Sequence, residues 1–552
     1  MNNYPLVAYM PSDAYNIDAN QVNGRRIAGK LLLQAFASSL QADELLTVIA
    51  PGGQHNRELA AILKPVLPPG ARVQLQPGFS QAVCGGIGTV FRPDPALTEW
   101  VDLRAALPAH AFSLTGVIHT LCSRSVLRSI AELVTSDLRP WDALICTSLA
   151  GQKVVKAVLQ YKAEQLAQRF GLRSLNVDDV LPQLPVIPLP ATTTRSPGLP
   201  AAREEARRKA RQALAIREDE FVLASVGRLS FHSKAHPLAL YRVLNSLSSG
   251  ERPIRLVECG HCINEPISNC YQDARSLFPQ LRVLEVGGLS PATEDQKQQV
   301  LAAADVFVSL ADSIQETFGL SLLEAMDAGL PIIATDWNGY KDLVDDGASG
   351  FLVPCSDVLL DPDVAHDQVG QLYSLGVLDY ESMLALRSSG VVVDEQALRA
   401  SIETLMSSPQ LCLSMGQAGR ERLEQKFSPS VVSSLYRQLC SELQQRRQSV
   451  SGDAILQVPE FDFPAFFASY PSASLHLERV VLAPMASPQL AGLAMNVPLL
   501  NRVPGLQIDA ILQRFLETGL LTRAELVGAG HTEAVAGLIL ASFVKYGLAM
   551  ID

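Results

Sequence analysis

One forty-residue run, from Gln315 to Pro354, constrains the fold more than any other part of this chain: QETFGLSLLEAMDAGLPIIATDWNGYKDLVDDGASGFLVP. Leu320, Leu322, Leu323 and Met326 recur at helical spacing, and Gly329 followed by Pro331 stops the helix. PIIAT is a short β-branched run that reads as a buried strand. Loop, helix, tight turn and strand in that order are the grammar of a parallel α/β sheet. A helix opening at Thr317, Phe318 and Gly319 offers free backbone N–H groups and the positive end of its dipole, which favour an anion such as phosphate. Glu316 lies just ahead of that helix and Glu324, eight positions on, lies within it. Two carboxylates would repel an anion. They suit hydroxyl groups on a sugar and a ribose flanking it.

The string E-T-F-G-L-S-L-L-E-A-M, followed by G-L-P-I-I-A-T and then G-F-L-V, resembles the E-x7-E region of family-4 glycosyltransferases of the GT-B fold. The resemblance covers residues 1–445, most firmly 221–435. It implies that Glu316 contacts the transferred sugar and Glu324 the ribose of a nucleotide-sugar donor. It implies further that Thr317 and the amides of Phe318, Gly319 and Leu320 approach the diphosphate and sugar.

The 552 residues suffice for two or three domains with sizeable cores. Hydrophobic residues at 48% and charged residues at 18% describe an ordinary globular chain. A net charge of −11 argues against a chain built to grip nucleic acid or anionic lipid. No basic segment precedes an apolar core at the N-terminus, no apolar run reaches membrane-spanning length, and nine scattered cysteines suit a reducing compartment. The expectation is a cytoplasmic protein. Cys259, His261, Cys262 and Cys270 are nominally enough for zinc. Because IRLVEC reads as a strand, Cys259 and Cys262 should point apart, and the cysteines are read as structural.

Strand-like and helix-like segments alternate through the first half: YPLVAYM, GRRIAGKLLLQAFASSL, LLTVIAP, SLTGVIH, WDALICTS and the amphipathic GQKVVKAVLQYKAEQLAQRF. LPVIPLPATTTRSPGLP reads as the linker out of it. AAREEARRKARQALAI then restarts the pattern as a charged helix with a solvated face, and FVLASVGRL, IRLVEC, LRVLEVGG, VFVSLA and PIIAT follow as strands. SLGVLDYESMLALRSSGVVV reads as an insertion, an extra helical pair. Two further helices split at Phe427-Ser428-Pro429, and in the resembled family the last helices cross back to the first domain. The expected fold class is α/β: two Rossmann-like domains (GT-B) with a small C-terminal, mainly helical, winged-helix-like appendage. Residues 1–195 form the acceptor-side domain, 196–447 the nucleotide-sugar domain with the crossover helix at its end, and 448–552 the appendage. Residues 508–552 carry three cations against five acids, a net −2 that is wrong for a DNA-gripping face. The appendage reads as a docking module for a protein or acceptor.

When a nucleotide diphosphate-sugar reacts, negative charge grows on the leaving phosphate, and the site must stabilise it. SVGRLSFHSKAHP supplies Arg228 just after a strand and Lys234 six residues later. They resemble the two diphosphate-holding cations of the same family, although Ala235 replaces the usual glycine after the lysine. With both cations in place no metal and no cofactor beyond the donor is needed, and DPD at 361–363 reads as loop. Gly24 matches the family's first glycine loop, without its common double glycine, and beside it Arg25 and Arg26 add charge or open a solvated helix. His119 ends TGVIH; the resemblance suggests that it hydrogen-bonds the transferred sugar or assists the acceptor, while a lone histidine is also a common structural residue. Asp13, Tyr15 and Asp18 share the first loop, and spacing does not decide whether they reach the acceptor. VIPLPATT replaces the frequent asparagine-glycine-aspartate pattern between domains.

By resemblance the chain is a retaining hexosyltransferase. The acceptor, whether glycan, small molecule or protein, is not encoded, and neither are the base and sugar of the donor. A catalytically silent GT-B scaffold subunit and a GT-B sugar-nucleotide epimerase are the alternatives.

Overall fold

The computed structural model describes residues 2–15, 24–51, 56–79, 88–104, 110–176, 181–192, 200–248, 250, 252–358, 368–449, 463–496 and 506–552. They fall into two compact units, Met1–Pro459 and Glu460–Asp552.

In the first unit the alternating segments of the N-terminal half form a parallel sheet. Its strands are β1 (Asn2–Asn3), β2 (Leu6–Tyr9), β3 (Glu44–Ile49), β4 (Arg72–Gln76), β5 (Thr89–Arg92), β6 (Ser113–Val117) and β7 (Ala143–Ile145). β1 and β2 run along the same neighbour, Asn2 opposite Glu44 and Ala8 opposite Val48, so they act as one interrupted strand. The order across the sheet is then β4-β3-β2-β5-β6-β7, every pair parallel. The chain moves outward one way from β2 and returns to start again at β5, which leaves a crevice at the carboxyl ends of those two strands. The Gly24–Ser38 helix follows β2. A side chain at Gly29 would meet the Ala14 carbonyl oxygen at 2.1 Å, so this glycine lets the helix lie against the Ser12–Ala14 turn.

The second half repeats the plan with β8 (Phe221–Leu229), β9 (Ile254–Cys262), β10 (Val283–Gly288), β11 (Val306–Ser309), β12 (Ile332–Thr335) and β13 (Gly350–Val353). The order is β10-β9-β8-β11-β12-β13, again all parallel, with the reversal between β8 and β11. These are the strands expected from the sequence. β4 and β5 are additions: RVQLQ alternates with polar residues at an exposed edge, and TVFR is only four residues long.

Three local expectations change. The stretch read as a linker begins as part of the first sheet, with Val186 bridging beside β7 and Ile187 and Leu189 buried in the core. The expected boundary at 195–196 lies outside the described residues, as do Asp18 and the DPD triplet. The charged Pro200–Ala213 helix is not solvated throughout. Arg211 is fully buried, with its guanidinium donating to the Ala303 and Glu220 carbonyls and to Asp305 Oδ2 at 2.9 Å. Burial is tolerable because several of its donors meet acceptors. The stretch read as an extra helical pair, residues 374–393, holds one whole helix, Tyr380–Ser388; the Gln368–Ser374 helix precedes it, and its closing VVV is a strand, β15 (Val391–Val393), paired antiparallel with β14 (Cys355–Asp357).

The chain splits at Phe427-Ser428-Pro429 as expected, since proline suits the first turn of a helix. The Pro429–Gln448 helix then packs on the first half. Tyr436 sits edge-on to Phe36 and Phe91 at 5.0 and 5.7 Å, and Arg437 grips both oxygens of Glu44 at 2.7 Å.

The second unit is small and built on its own core of Val480, Leu512, Phe515, Leu526, Ile539, Leu540 and Phe543. The helices Ile508–Thr518, Arg523–Gly528 and Glu533–Lys545 alternate with β17 (Leu520–Thr522) and β18 (Ala549–Ile551), in a winged-helix-like sequence. Both strands flank β16 (Arg479–Leu482). Among the described residues no helix is long and apolar enough to cross a membrane.

Candidate functional site

The crevice between β8 and β11 gathers the residues singled out from sequence. Arg228 is near the end of β8, and Lys234 is in the loop that follows. Asp312 to Phe318 form the loop after β11, and the Leu320–Ala328 helix leaves from it. Lys234 Nζ lies 2.7 Å from Glu316 Oε2. Glu316 Oε1 accepts from the backbone amides of Thr317 and Phe318 at 3.2 and 3.3 Å. Burial pushes the Glu316 carboxyl up, but the Lys234 ammonium and those two amides outweigh it and hold it below its ordinary range. Glu316 is therefore a charged acceptor at neutral pH.

Gly319 is the N-cap of the helix, at φ 116°, with no side-chain cap and no acid in the first turn. A Cβ there would stand 2.6 Å from Tyr340 Cε1, so only glycine lets the chain turn over that ring. The helix start is thus open to an anion, although Glu316 already occupies the amide of Phe318. Arg228 is held from the side: its Nη2 donates to Gln315 Oε1 at 3.0 Å.

Glu324, farther along the helix, is tied to a residue the sequence did not suggest. Lys297 Nζ is 2.6 Å from Glu324 Oε1 and 2.8 Å from Glu294 Oε2. Burial pushes the Glu324 carboxyl up, with Lys297 opposing it. Lys234 with Glu316, and Lys297 with Glu324, are two separate acid–base pairs on one helix and its leading loop.

The first half brings its own crevice, between β2 and β5. His119 Nε2 is 2.9 Å from the Pro93 carbonyl, so that nitrogen carries the proton. Burial pushes the imidazole down to about 4, against the pull of the Pro93 carbonyl and with Arg25 adding to the shift. The ring is neutral at pH 7 and its Nδ1 is an acceptor. Arg25 bridges Asp13 at 3.4 Å and Asp94 at 3.3 Å. Gly24 opens its helix with no atom of the described residues, beyond its chain neighbours and its own helix, within 4 Å of the place a side-chain carbon would take, so the glycine that packing demands is Gly29. Tyr15 is fully buried and its hydroxyl pushed up to about 12 by burial, which makes it a core residue rather than a contact for an acceptor.

The two halves touch beside these loops. Ser148 Oγ donates to the Thr317 carbonyl at 2.9 Å, and the Leu149 amide, at the start of the Leu149–Phe170 helix, donates to Asp342 Oδ2 at 2.6 Å. Cys122, three residues after His119, meets Tyr380 of the insertion at 3.3 Å. Gln315, Lys297 and Ser148 were missed from sequence. Gln315 adjoins Glu316 in the diagnostic string, whereas nothing in the sequence links Lys297 to an acid 27 positions away. Cys259 and Cys262 are buried in separate clusters, and among the described residues no three His, Cys, Asp or Glu side chains gather to hold a metal.

Residues 206–361, which include Arg228, Lys234, Glu316 and Glu324, match the family model for glycosyl transferases group 1. The D-inositol 3-phosphate glycosyltransferase of Corynebacterium urealyticum is 29% identical over 215 residues, 38% of this chain and 48% of that protein. Its counterpart from Saccharomonospora viridis is 34% identical over 173 residues, 30% of this chain and 39% of that protein. The chain thus spans less than half the length of these curated relatives. The crystal structure of Anabaena HepE in complex with UDP aligns at a TM-score of 0.47 with 16% identity, covering 80% of this chain and all of that one.

Proposed function

We propose that this protein is a retaining glycosyltransferase that moves a hexosyl group from a nucleotide diphosphate-sugar to an acceptor hydroxyl without a metal ion. The observation that carries the reading is the Lys234–Glu316 pair, set with Arg228 around the open start of the Leu320–Ala328 helix at the reversal point of the second sheet. Similarity to group 1 glycosyl transferases over this segment supports it.

In this reading the diphosphate lies against the helix start. Arg228 and Lys234 offset the charge that develops on it as the sugar departs. Two fixed cations and a helix dipole supply what a divalent ion supplies elsewhere. Glu316, ionised and anchored by two amides, accepts from sugar hydroxyls and fixes the ring. Glu324 takes the ribose hydroxyls, exchanging part of its contact with Lys297. Neutral His119 offers Nδ1 to a sugar hydroxyl from the first half. The acceptor attacks the face the diphosphate is leaving, and the departing phosphate oxygen takes its proton, so configuration is retained. Closure of the halves excludes water that would hydrolyse the donor. The C-terminal unit serves as a docking module for the acceptor or a protein partner, its net −2 over residues 508–552 disfavouring nucleic acid.

The test is a thermal-shift and nucleotide-release screen against UDP-, GDP-, ADP- and dTDP-sugars. One donor should raise the melting temperature and be slowly hydrolysed. Arg228→Ala should then lower turnover by roughly 10²–10³ while leaving the fold intact. Unchanged turnover in that variant refutes the assignment, and conversion of the donor to its epimer without any acceptor replaces it.

A further inference from the structure

The insertion between β14 and β15 reaches both halves of the first unit. Met383 and Leu384 are buried against Cys122 of the first half, with Ile314 of the donor-side loop packed on the same cluster. Arg124, also of the first half, donates its amide to Tyr373 Oη at 3.1 Å and its guanidinium to the Tyr373 carbonyl at 2.8 Å. On the donor side His232 meets Glu381 at 2.6 Å. Through the middle of this contact runs a chain of hydrogen bonds that ends on Arg228.

From Arg228 to Tyr380 its direction follows from donor and acceptor capacity alone. A guanidinium only donates, so Gln315 must turn Oε1 toward Arg228, at 3.0 Å. That leaves Gln315 Nε2 to donate to Tyr380 Oη, at 3.1 Å. Tyr380 Oη also shares a hydrogen bond with Cys122 Sγ, 3.3 Å away, in which either group can donate. Without the Tyr380 oxygen, the Gln315 amide loses the partner that keeps Oε1 facing Arg228, and a flipped amide would present N–H groups to a cation.

We propose that Tyr380 is a positioning residue for Arg228: through Gln315 it holds the guanidinium in place, and through Cys122 it ties that alignment to the contact between the two halves. The inference rests on the transferase reading given above. It makes the insertion a part of the reaction machinery and couples charge stabilisation to closure. An Arg228 that has lost its orientation still attracts the donor but matches the developing charge less well, so the loss falls on kcat more than on KM.

The experiment compares the wild-type chain with Tyr380→Phe, Gln315→Met and the double variant, using whichever donor of the panel the wild type hydrolyses. Phenylalanine keeps the ring and removes only the hydroxyl. Tyr380→Phe should keep its Tm within about 2 °C and lose roughly tenfold in kcat, with KM moving less than about threefold. In the Gln315→Met background it should cost nothing further, since the link it serves is already gone. Wild-type kcat in Tyr380→Phe, or losses that simply add in the double variant, would overturn the proposal while leaving the transferase reading intact. A wild-type protein that binds and hydrolyses none of the donors would overturn the transferase reading and this proposal with it.

Discussion

Asp312 offers a sharp test of the electrostatics around the loop that holds Glu316. It follows β11, is 4% exposed, and stitches the cation loop in place: its amide donates to the Lys234 carbonyl at 3.3 Å and its Oδ2 accepts from the His236 amide at 3.0 Å. Its Oδ1 is buried with no hydrogen-bond partner among the described residues. Burial pushes this carboxyl up from 3.8 to about 7, against only backbone hydrogen bonds. The unfolded chain therefore releases the proton near pH 3.8 while the native chain keeps it to about 7. Over that window the native state binds more protons, so stability falls as pH rises. A rise of that size corresponds to about 4 kcal/mol, fully lost above about pH 8. Asn cannot ionise and still offers an oxygen to His236. Asp312→Asn should therefore be more stable than wild type at pH 8, and the gap should widen by about 2–3 kcal/mol between about pH 5 and pH 8. Urea midpoints at the two pH values measure it. A gap that does not change with pH would mean that Asp312 is already ionised in the native state, and the reasoning fails.

Two further expectations concern the scaffold of each half. Gly319→Ala places a methyl 2.6 Å from the buried Tyr340 ring at φ 116°, and should cost about 2–4 kcal/mol, read as a lower Tm; an unchanged Tm refutes the fit described here. Asp142→Ala strips the fully buried Arg104 of both its carboxylate contacts, at 3.0 and 2.8 Å, and removes the acceptor of the Leu114 amide. Chemical denaturation should show a loss of about 3–5 kcal/mol, and a loss below about 1 would show that water reaches the guanidinium.

What could be read from the sequence was what short-range periodicity encodes. PIIAT and FVLASVGRL are strands because an unbroken β-branched or apolar run has no solvated face to offer, and Gly329 ends its helix where a left-handed residue is needed. β4 escaped because an exposed edge strand alternates with polar residues and carries no apolar run. The loops at the crevice between β8 and β11 were legible as a set of types, with Arg228, Lys234, Glu316 and Glu324 all named. Their pairing was not: Lys234 meets Glu316 across 82 positions and Lys297 meets Glu324 across 27, distances set by the sheet order and not by any local pattern. Gly24 was singled out as the match to the resembled family's first glycine loop, yet Gly29 is the residue with no room for a side chain, a fact that depends on the Ala14 carbonyl lying over it.

The Pro429–Gln448 helix follows the second half in sequence but buries Tyr436 against Phe36 and Phe91 of the first. For protein engineering this places the exchangeable segment at odds with the gene order. A chimera that borrows another chain's second half must be cut at Ser428 and keep the native residues 429–448. A swap carried through to 448 would instead graft a foreign helix onto the host's aromatic core.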